Sequence, residues 1–164
     1  MAPYISGWKN LQAFNLDLFF NNVTREGAEK ISASISQLTN LTSLRLNLDF
    51  NYIENEGGIA VGNSLKPLQN LRSLSIGCAS KNFGFSGFEG IAQGMRSLKQ
   101  HQLENLTVVC GVNRVGPQGA DELAKVIKYH EDTIKNLRID FLENYIGDEG
   151  AQILTDLLPQ LPLL

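Results

Sequence analysis

Apolar residues recur along the chain in five successive segments of about 30 residues, and each segment repeats the same order of apolar and polar positions. Within a segment the apolar side chains occupy the first, fourth, sixth and eighth positions, as in Leu41, Leu44, Leu46 and Leu48. An apolar residue at every second position is typical of a short strand with one buried face. The pattern therefore predicts five strands, near residues 14–18, 44–48, 74–78, 106–110 and 137–141.

The second half of each segment predicts a loop followed by a helix. Asparagine follows the strand in most segments, where its amide can bond backbone groups left unpaired by the bend. A glycine comes next, and apolar residues four apart then form one face of a helix. Thr24 and Asp148 are candidates for the residue that caps a helix at its N-terminus. The helices are predicted at approximately residues 26–37, 56–66, 87–99, 118–129 and 149–158.

The third segment departs from this order. Lys81 occupies the position that asparagine holds elsewhere, and Asn82 comes one residue late, so we expect a locally altered loop. Phe88 stands where the other segments have alanine or glycine, and Phe85 stands where they have polar residues or proline. A bulky residue at a small position either repacks the helix or presents a side chain to a partner, and both alternatives remain open from the sequence.

The repeated positions resemble the leucine-rich repeat L-x-x-L-x-L-x-x-N-x-L, as in the stretch from Leu46 to Ile53. The run from Ile146 to Ala151 and the unit length resemble the ribonuclease-inhibitor-like subclass, and the extended motif resembles arrays abundant in ciliate protists. The resemblance covers roughly residues 8 to 164. It implies an α/β fold, a right-handed horseshoe-shaped solenoid of about five strand–loop–helix units with a parallel sheet on its concave face.

This resemblance predicts one leucine-rich-repeat domain over residues 1–164, in which residues 1–10, with Tyr4, Ile5 and Trp8, form an N-terminal cap. Units of this kind bury their apolar faces by stacking on one another, so a solenoid needs polar caps at its ends. Leu161 and Leu164 lie near the first leucine of a further unit, and we therefore expect a partner or more repeats to cover this end. The five units begin near residues 11, 41, 71, 103 and 134.

Composition narrows the range of partners. The net charge of −3 disfavours nucleic acid, whose binding needs a basic surface, and no apolar stretch is long enough to insert into a membrane. The first ten residues lack the pattern of a signal peptide. The sequence therefore predicts a cytoplasmic protein, with a cytoskeletal or ciliary complex as one option for its location.

Little in the sequence points to catalysis, a cofactor or a metal. Cys78 and Cys110 both occupy the eighth position of a segment, which predicts buried thiols in the core. His101 and His130 have no ligand at the spacing that a zinc site requires. The glycines from Gly84 to Gly90 lack the lysine that follows in phosphate-binding loops. We therefore expect a protein that is not an enzyme.

Two surfaces remain as candidates for contact with a partner protein. On the concave face, the outward strand positions carry polar side chains in the units at both ends of the array and small side chains in the middle units. The small side chains either form a shallow surface that admits a partner or only relieve crowding on a curved sheet. Aromatic residues in the loops after the strands lie on one edge of the solenoid and are typical anchors of protein interfaces. With the ends of the array, the candidate partner-binding residues are Phe19, Phe50, Tyr52, Phe85, Phe88, Arg45, Arg138, Leu142, Tyr145, Leu161 and Leu164, and Phe20 lies beside them.

These features favour a non-catalytic protein-interaction or scaffold module, a subunit or segment of a larger assembly. The resemblance also implies two alternatives, because leucine-rich repeats occur in GTPase-activating and other enzyme-regulating proteins and in the ligand-sensing parts of receptors and kinases. No functional residue of those proteins has a counterpart at a position of this chain, and no effector domain is visible in the sequence.

Overall fold

The computed structural model describes residues 8–80 and 82–162. Within these residues, five short strands alternate with five helices, and a brief 3-10 helix, Leu158–Gln160, follows the last of them. The strands are β1 (Ala13–Asp17), β2 (Ser43–Asn47), β3 (Ser73–Gly77), β4 (Asn105–Val109) and β5 (Asn136–Asp140). The helices are α1 (Arg25–Ile35), α2 (Glu54–Leu65), α3 (Phe85–Arg96), α4 (Gly116–Tyr129) and α5 (Gly147–Leu157).

All five strands belong to one parallel sheet, in the order β1-β2-β3-β4-β5. Residues at the same position of successive units lie side by side, so that Leu46 pairs with Leu16 on one side and with Ile76 on the other. Each helix packs on the helices of the neighbouring units. The predicted α/β solenoid with an open parallel sheet is therefore confirmed.

The element boundaries differ slightly from the predicted ones. Every strand begins one residue earlier, and every helix begins one or two residues earlier. Asp148 consequently lies inside α5, whose N-cap is Ile146, so the prediction that Asp148 caps the helix is wrong. Thr24 does occupy the N-cap of α1, although its side chain makes no capping hydrogen bond.

The core runs through the middle of the array, between the sheet and the helices. Leu44, Leu46 and Leu48 of the second unit are each about 1% exposed, as the alternating pattern predicts for residues that face the helices. The corresponding residues of the first and fifth units are only partly buried, because these units have a single described neighbour. Burial is thus most complete in units two to four.

Buried asparagines connect the loops of neighbouring units. The Asn51 Nδ2 group donates hydrogen bonds to the carbonyl oxygens of Leu18 and Leu48, at 2.8 and 3.0 Å. Its Oδ1 atom accepts from the backbone N–H groups of Asn21 and Val23, at 3.0 and 2.8 Å. These bonds satisfy backbone groups that strand pairing leaves free, which confirms the predicted role of the asparagine.

The third unit has the altered loop that its sequence predicts. Lys81, in the asparagine position, lies outside the described residues, and Asn82 is exposed. The hydroxyl of Ser80 takes over part of the connection by donating to the carbonyl oxygen of Asn51 at 2.7 Å. The Asn113 Oδ1 atom of the next unit accepts from the Ser80 N–H at 2.8 Å. The units therefore remain linked although the asparagine is missing.

Helices α2 and α3 approach each other closely through glycines. A Cβ atom built at Gly62 would overlap the carbonyl oxygen of Gly90, and one built at Gly94 would overlap the carbonyl oxygen of Gly62. Backbone lies directly against backbone at this junction, without side chains between the helices. Only glycine permits such an approach.

Candidate partner-binding surface

The loops that leave the strands and enter the helices form one edge of the solenoid, which we call the loop edge. Large apolar side chains concentrate there: of nine exposed ones in the described residues, six lie on this edge. They are Phe19, Phe20, Phe50, Tyr52, Leu142 and Tyr145, with exposed fractions of 52, 73, 46, 53, 64 and 79%. The loop edge consists of residues 17–26, 49–56, 79–80, 82–84, 111–116 and 140–149.

The first two units bring three of the phenylalanines together. The Phe19 ring packs edge-on against Phe50, with 5.3 Å between ring centroids, and lies 6.4 Å from Phe20. Phe20 and Phe50 have left-handed backbone, with φ of 55 and 56°. This conformation is costly for bulky residues and is held by hydrogen bonds to the next unit, such as Phe50 N–H to the Ala79 carbonyl at 2.6 Å. The aromatic residues are therefore fixed in place and yet exposed.

A notch separates these aromatic residues from the apolar residues of unit five. Ser80 stands where units one and two have phenylalanine, and the smaller side chain leaves a cavity of about 300 Å³. A second depression of about 220 Å³ adjoins it, and Val112 lines both. The first is lined by Phe20, Phe50, Asn51, Tyr52, Ser80, Asn82 and Val112, and the second by Val112, Asn113, Arg114, Glu143 and Tyr145.

Ser80 and Val112 were not among the residues that the sequence singles out, and Asn82 was noted only for its shifted position. The signal for them lies in the repeat itself, since aligning Ser80 with Phe20 and Phe50 shows that unit three loses a large side chain. A small side chain at this position, between Phe50 of unit two and Val112 of unit four, indicates a notch. In the sequence, unit three stands out for its missing asparagine and for Phe85 and Phe88, rather than for Ser80.

Arg45 and Arg138 lie on the concave face, on either side of the small residues of units three and four. They line a shallow depression of about 190 Å³ whose floor includes Ser75 and Gly77. Arg45 is exposed and approaches Asp17, with 3.9 Å between Nη2 and Oδ2. A pair at this distance in solvent contributes little to stability, so Arg45 remains available to other groups.

Carboxylates border the concave face where it meets the loop edge. Asp49 accepts a hydrogen bond from the Ala79 N–H at 2.8 Å. Its carboxylate also lies over Gly77, since a Cβ atom built at Gly77 would come within 2.8 Å of the Asp49 Oδ1 atom. Burial raises the pKa of the Asp49 carboxyl, and the charges of Asp140 and Asp17 act in the same direction. The pKa of Asp17 is lowered, first by the hydrogen bond from the Phe19 N–H.

The two phenylalanines of α3 differ in position. Phe88 is only 1% exposed and packs edge-on against Phe141, with 5.2 Å between ring centroids. The helix is therefore repacked around Phe88, and the expectation that Phe88 contacts a partner is corrected. Phe85, the first residue of α3, is partly exposed at the same edge as the aromatic loops.

At the C-terminal end, Leu161 is 6% exposed and belongs to the apolar core. The chain turns after the short 3-10 helix and covers part of unit five with this side chain, so Leu161 is not available as a partner contact. Leu164 lies outside the described residues, as do Tyr4 and Ile5 of the expected N-terminal cap. Trp8 is described, and its ring lies 6.5 Å from that of Phe14 in unit one.

The described residues contain no group of three or more His, Cys, Asp or Glu side chains arranged to hold a metal. His130 is fully buried; its Nε2 group donates to the Met95 carbonyl oxygen at 3.4 Å, and burial lowers its pKa. The Nδ1 atom of His101, in the connection to β4, lies 3.3 Å from the Oδ2 atom of Asp132, in the connection to β5. Over the described ranges, no helix is long and apolar enough to cross a membrane.

Cys78 and Cys110 are free thiols, each at most 1% exposed, at the ends of neighbouring strands. The neighbouring Cys110 thiol and burial raise the pKa of Cys78 well above its ordinary value. We expect a thiol reagent to label the native protein slowly and the unfolded protein rapidly, because the reactive thiolate is both scarce and covered. Titration with and without denaturant measures this difference, and fast labelling of both cysteines in the native state would contradict their burial.

Two comparisons with known proteins bear on this architecture. The family described as "Leucine Rich repeat" matches residues 15–32 and 37–62. Among solved structures, "Leiomodin-1 Actin-Binding Site 2 (ABS2)" is similar to the chain with a TM-score of 0.61 and 16% sequence identity, over 97% of this chain and 86% of that one. No curated protein matches the sequence. The first two of the five stacked strand–loop–helix units are thus similar in sequence to the leucine-rich repeat, and the array as a whole is similar in fold to this solved structure.

Proposed function

We propose that the chain is a non-catalytic protein-binding module whose loop edge contacts the partner. The observation that carries this proposal is the concentration of exposed apolar side chains there, six of nine in the described residues. Contiguous exposed apolar residues are uncommon on proteins that act alone and mark interaction sites. Aromatic residues in particular provide much of the binding energy at protein interfaces.

The geometry of the edge supports this interpretation. Phe50 and Tyr52 border the larger notch, which has room for an apolar side chain of a partner. Both residues are already held by the repeat, since their N–H groups donate to the carbonyl oxygens of Ala79 and Val23. A surface that is ordered before binding loses less conformational entropy when a partner docks.

The similar solved structure is named as an actin-binding site, which supports a role of this kind of solenoid in binding a protein. We infer that the chain serves as a scaffold or subunit within a larger complex in the cytoplasm, and a cytoskeletal partner is one candidate. In the part of the chain that the structure describes, no residue cluster supports the GTPase-activating or ligand-sensing alternatives. Membership of the ribonuclease-inhibitor-like subclass remains part of the proposal.

A second contact is proposed at the flank of unit five. Leu137, Ile139 and Phe141 are only partly buried there, whereas their counterparts in unit four are fully buried. A further repeat or a partner stacked on β5 would cover them. This contact does not use Leu161, because that side chain is already packed into the core.

Binding through the loop edge is tested with the double variant Phe50→Ser, Tyr52→Ser. We expect the immobilised wild-type chain to retain at least one protein from an extract, and the variant to retain it at least tenfold less. Retention is measured by quantitative mass spectrometry. The fold should survive, because both side chains are about half exposed.

The matched control is Ile59→Ser with Leu158→Ser, which removes two exposed apolar side chains away from the loop edge. This control should bind like the wild type, and circular dichroism should show the same thermal unfolding for all three proteins. Equal loss of binding in both variants would show that the loop edge is not the specific contact surface.

A further inference from the structure

Charge is distributed unevenly over the molecule. The loop edge carries nine carboxylates but only two guanidinium groups, those of Arg25 and Arg114, although the net charge of the whole chain is only −3. In sequence, Lys81 adds one positive charge to this stretch. The carboxylates belong to Asp17, Glu26, Asp49, Glu54, Glu56, Asp140, Glu143, Asp148 and Glu149.

Ion pairing leaves this negative charge largely uncompensated. Arg25 is engaged by Glu29 of the same helix, with 3.2 Å between Nε and Oε1. Within residues 8–80 and 82–162, Asp17 is the only one of the nine carboxylates that forms an ion pair, the long contact with Arg45. The other eight carboxylates therefore contribute to a negative surface potential.

At the opposite edge, where the helices return to the strands, carboxylates form short ion pairs with basic side chains. There Glu104 forms ion pairs with both Arg72 and Lys135, at 2.9 and 2.8 Å. Nearby, Glu122 pairs with Arg96 and Lys125, each at 2.7 Å. Arg72, Arg96, Lys125 and Lys135 are therefore compensated within the molecule, whereas Lys66, Lys99 and Lys128 form no ion pair among the described residues.

Helix dipoles account for only part of the acidic surface. Glu26, Glu54, Glu56, Asp148 and Glu149 lie in the first turns of helices, where negative charge is stabilising. Asp49, Asp140 and Glu143 lie in strand ends and loops, outside every helix. The charges of Asp49 and Asp140 repel each other, and a basic group placed near them would relieve this repulsion.

We propose that the loop edge binds a basic amphipathic segment of a partner protein. The apolar side chains of that segment pack into the notch beside Phe50 and Tyr52 and against Tyr145, and its lysine or arginine side chains pair with Asp49, Asp140 and Glu143. This inference rests on the proposed protein-binding function and adds the chemistry of the partner. Electrostatic attraction of this kind accelerates association and selects against acidic partners.

The spacing of the apolar contacts fits one continuous segment. Tyr52 belongs to unit two and Tyr145 to unit five, so three unit steps of about 4.8 Å, the spacing of the strands, separate them by at least roughly 14 Å. A helix of about nine residues spans that distance, as does an extended strand of about four. One short segment of a partner therefore reaches both the notch and the apolar residues of unit five.

The test uses a library of random peptides of roughly 16 residues, long enough to span the edge as a helix. The library is selected in parallel on the wild-type chain, on the aromatic variant Phe50→Ser, Tyr52→Ser, and on the charge variant Asp49→Asn, Asp140→Asn, Glu143→Gln. The charge-matched control, Asp132→Asn, Asp156→Asn, Glu131→Gln, removes the same residue types away from the loop edge. Affinities of enriched peptides are measured by calorimetry at about 0.05 and 0.5 M salt.

We expect enriched peptides that combine lysine or arginine with apolar residues at helical or strand spacing. Their affinity should fall about tenfold in the charge variant, stay unchanged in the control, and weaken at high salt. Enriched peptides that lose affinity in the aromatic variant but are neutral or acidic, and insensitive to the charge variant, would overturn the basic-partner inference while leaving the binding function intact.

Other outcomes would contradict both proposals. These are peptides that bind equally to the aromatic variant, or no enrichment on the wild-type chain. Self-association of the wild-type chain in light scattering, lost in the aromatic variant, would identify a second copy as the occupant and overturn the basic-partner inference.

Discussion

Replacing Gly62 with alanine is expected to lower the free energy of unfolding by about 3 kcal/mol. The new Cβ atom would overlap the carbonyl oxygen of Gly90, which is backbone and has no flexible side chain to move aside. Helix propensity alone predicts the opposite, because alanine is favoured over glycine by about 1 kcal/mol in a helix. Urea denaturation of the variant and the wild type measures the difference, and its sign distinguishes the two effects.

Gly111→Ala is the control for this variant. The atoms nearest to a Cβ at Gly111 are 3.6 Å away, an ordinary contact, so the free energy of unfolding should change by less than about 0.5 kcal/mol. A Gly62→Ala protein as stable as the wild type would contradict the close approach of α2 and α3.

The second large effect is expected for Leu46→Ala, which should cost about 2–5 kcal/mol of unfolding free energy. Leu46 is about 1% exposed and lies between Leu16 and Ile76 of the adjacent strands, so its truncation opens a cavity between stacked units. Arg45→Ala, on the exposed side of the same strand, should cost less than about 0.5 kcal/mol. Thermal or chemical unfolding of both variants checks the comparison, and equal costs would contradict the assigned facing of the strand.

The strand phase was predictable because the period of two determines which side chains face the helices. Leu46 and Arg45 are neighbours in sequence and yet differ completely in burial, as the pattern indicates. The role of Asn51 was also predictable in kind, since a bend at the end of a strand leaves backbone groups that need partners. The strand pattern recurs five times and the asparagine four times, so local ambiguity in one unit was resolved by the others.

The burial of Phe88 and Leu161 could not be predicted from the sequence pattern. Phe88 breaks the small-residue pattern of its position, but whether it packs inward depends on Phe141, which is two units away. Leu161 looked like the start of an uncovered unit, whereas the chain folds it onto the core. Both outcomes depend on contacts between units, and the periodicity of one unit contains no information about them.

The notch and the glycine contact were missed for a related reason. Ser80 is unremarkable by itself, and the cavity exists only because Phe50 and Val112 flank it in space. Gly62 and Gly90 are two positions apart in the repeat alignment, so their contact depends on how the two helices stack. A site that forms because a side chain is small or absent can therefore be recognised only in the assembled structure.

The glycine contact also has a consequence for the curvature of the array. Strands in the sheet are about 4.8 Å apart, whereas packed helices are usually 8–10 Å apart, and this difference bends a solenoid into an arc. Where Gly62 lies against Gly90, the two helices come close together. We therefore expect a flatter arc between units two and three than at a junction where side chains separate the helices. Phe50 belongs to unit two and Ser80 to unit three, and both line the notch. A rigid helix of a partner would therefore meet a flatter surface there than elsewhere along the edge.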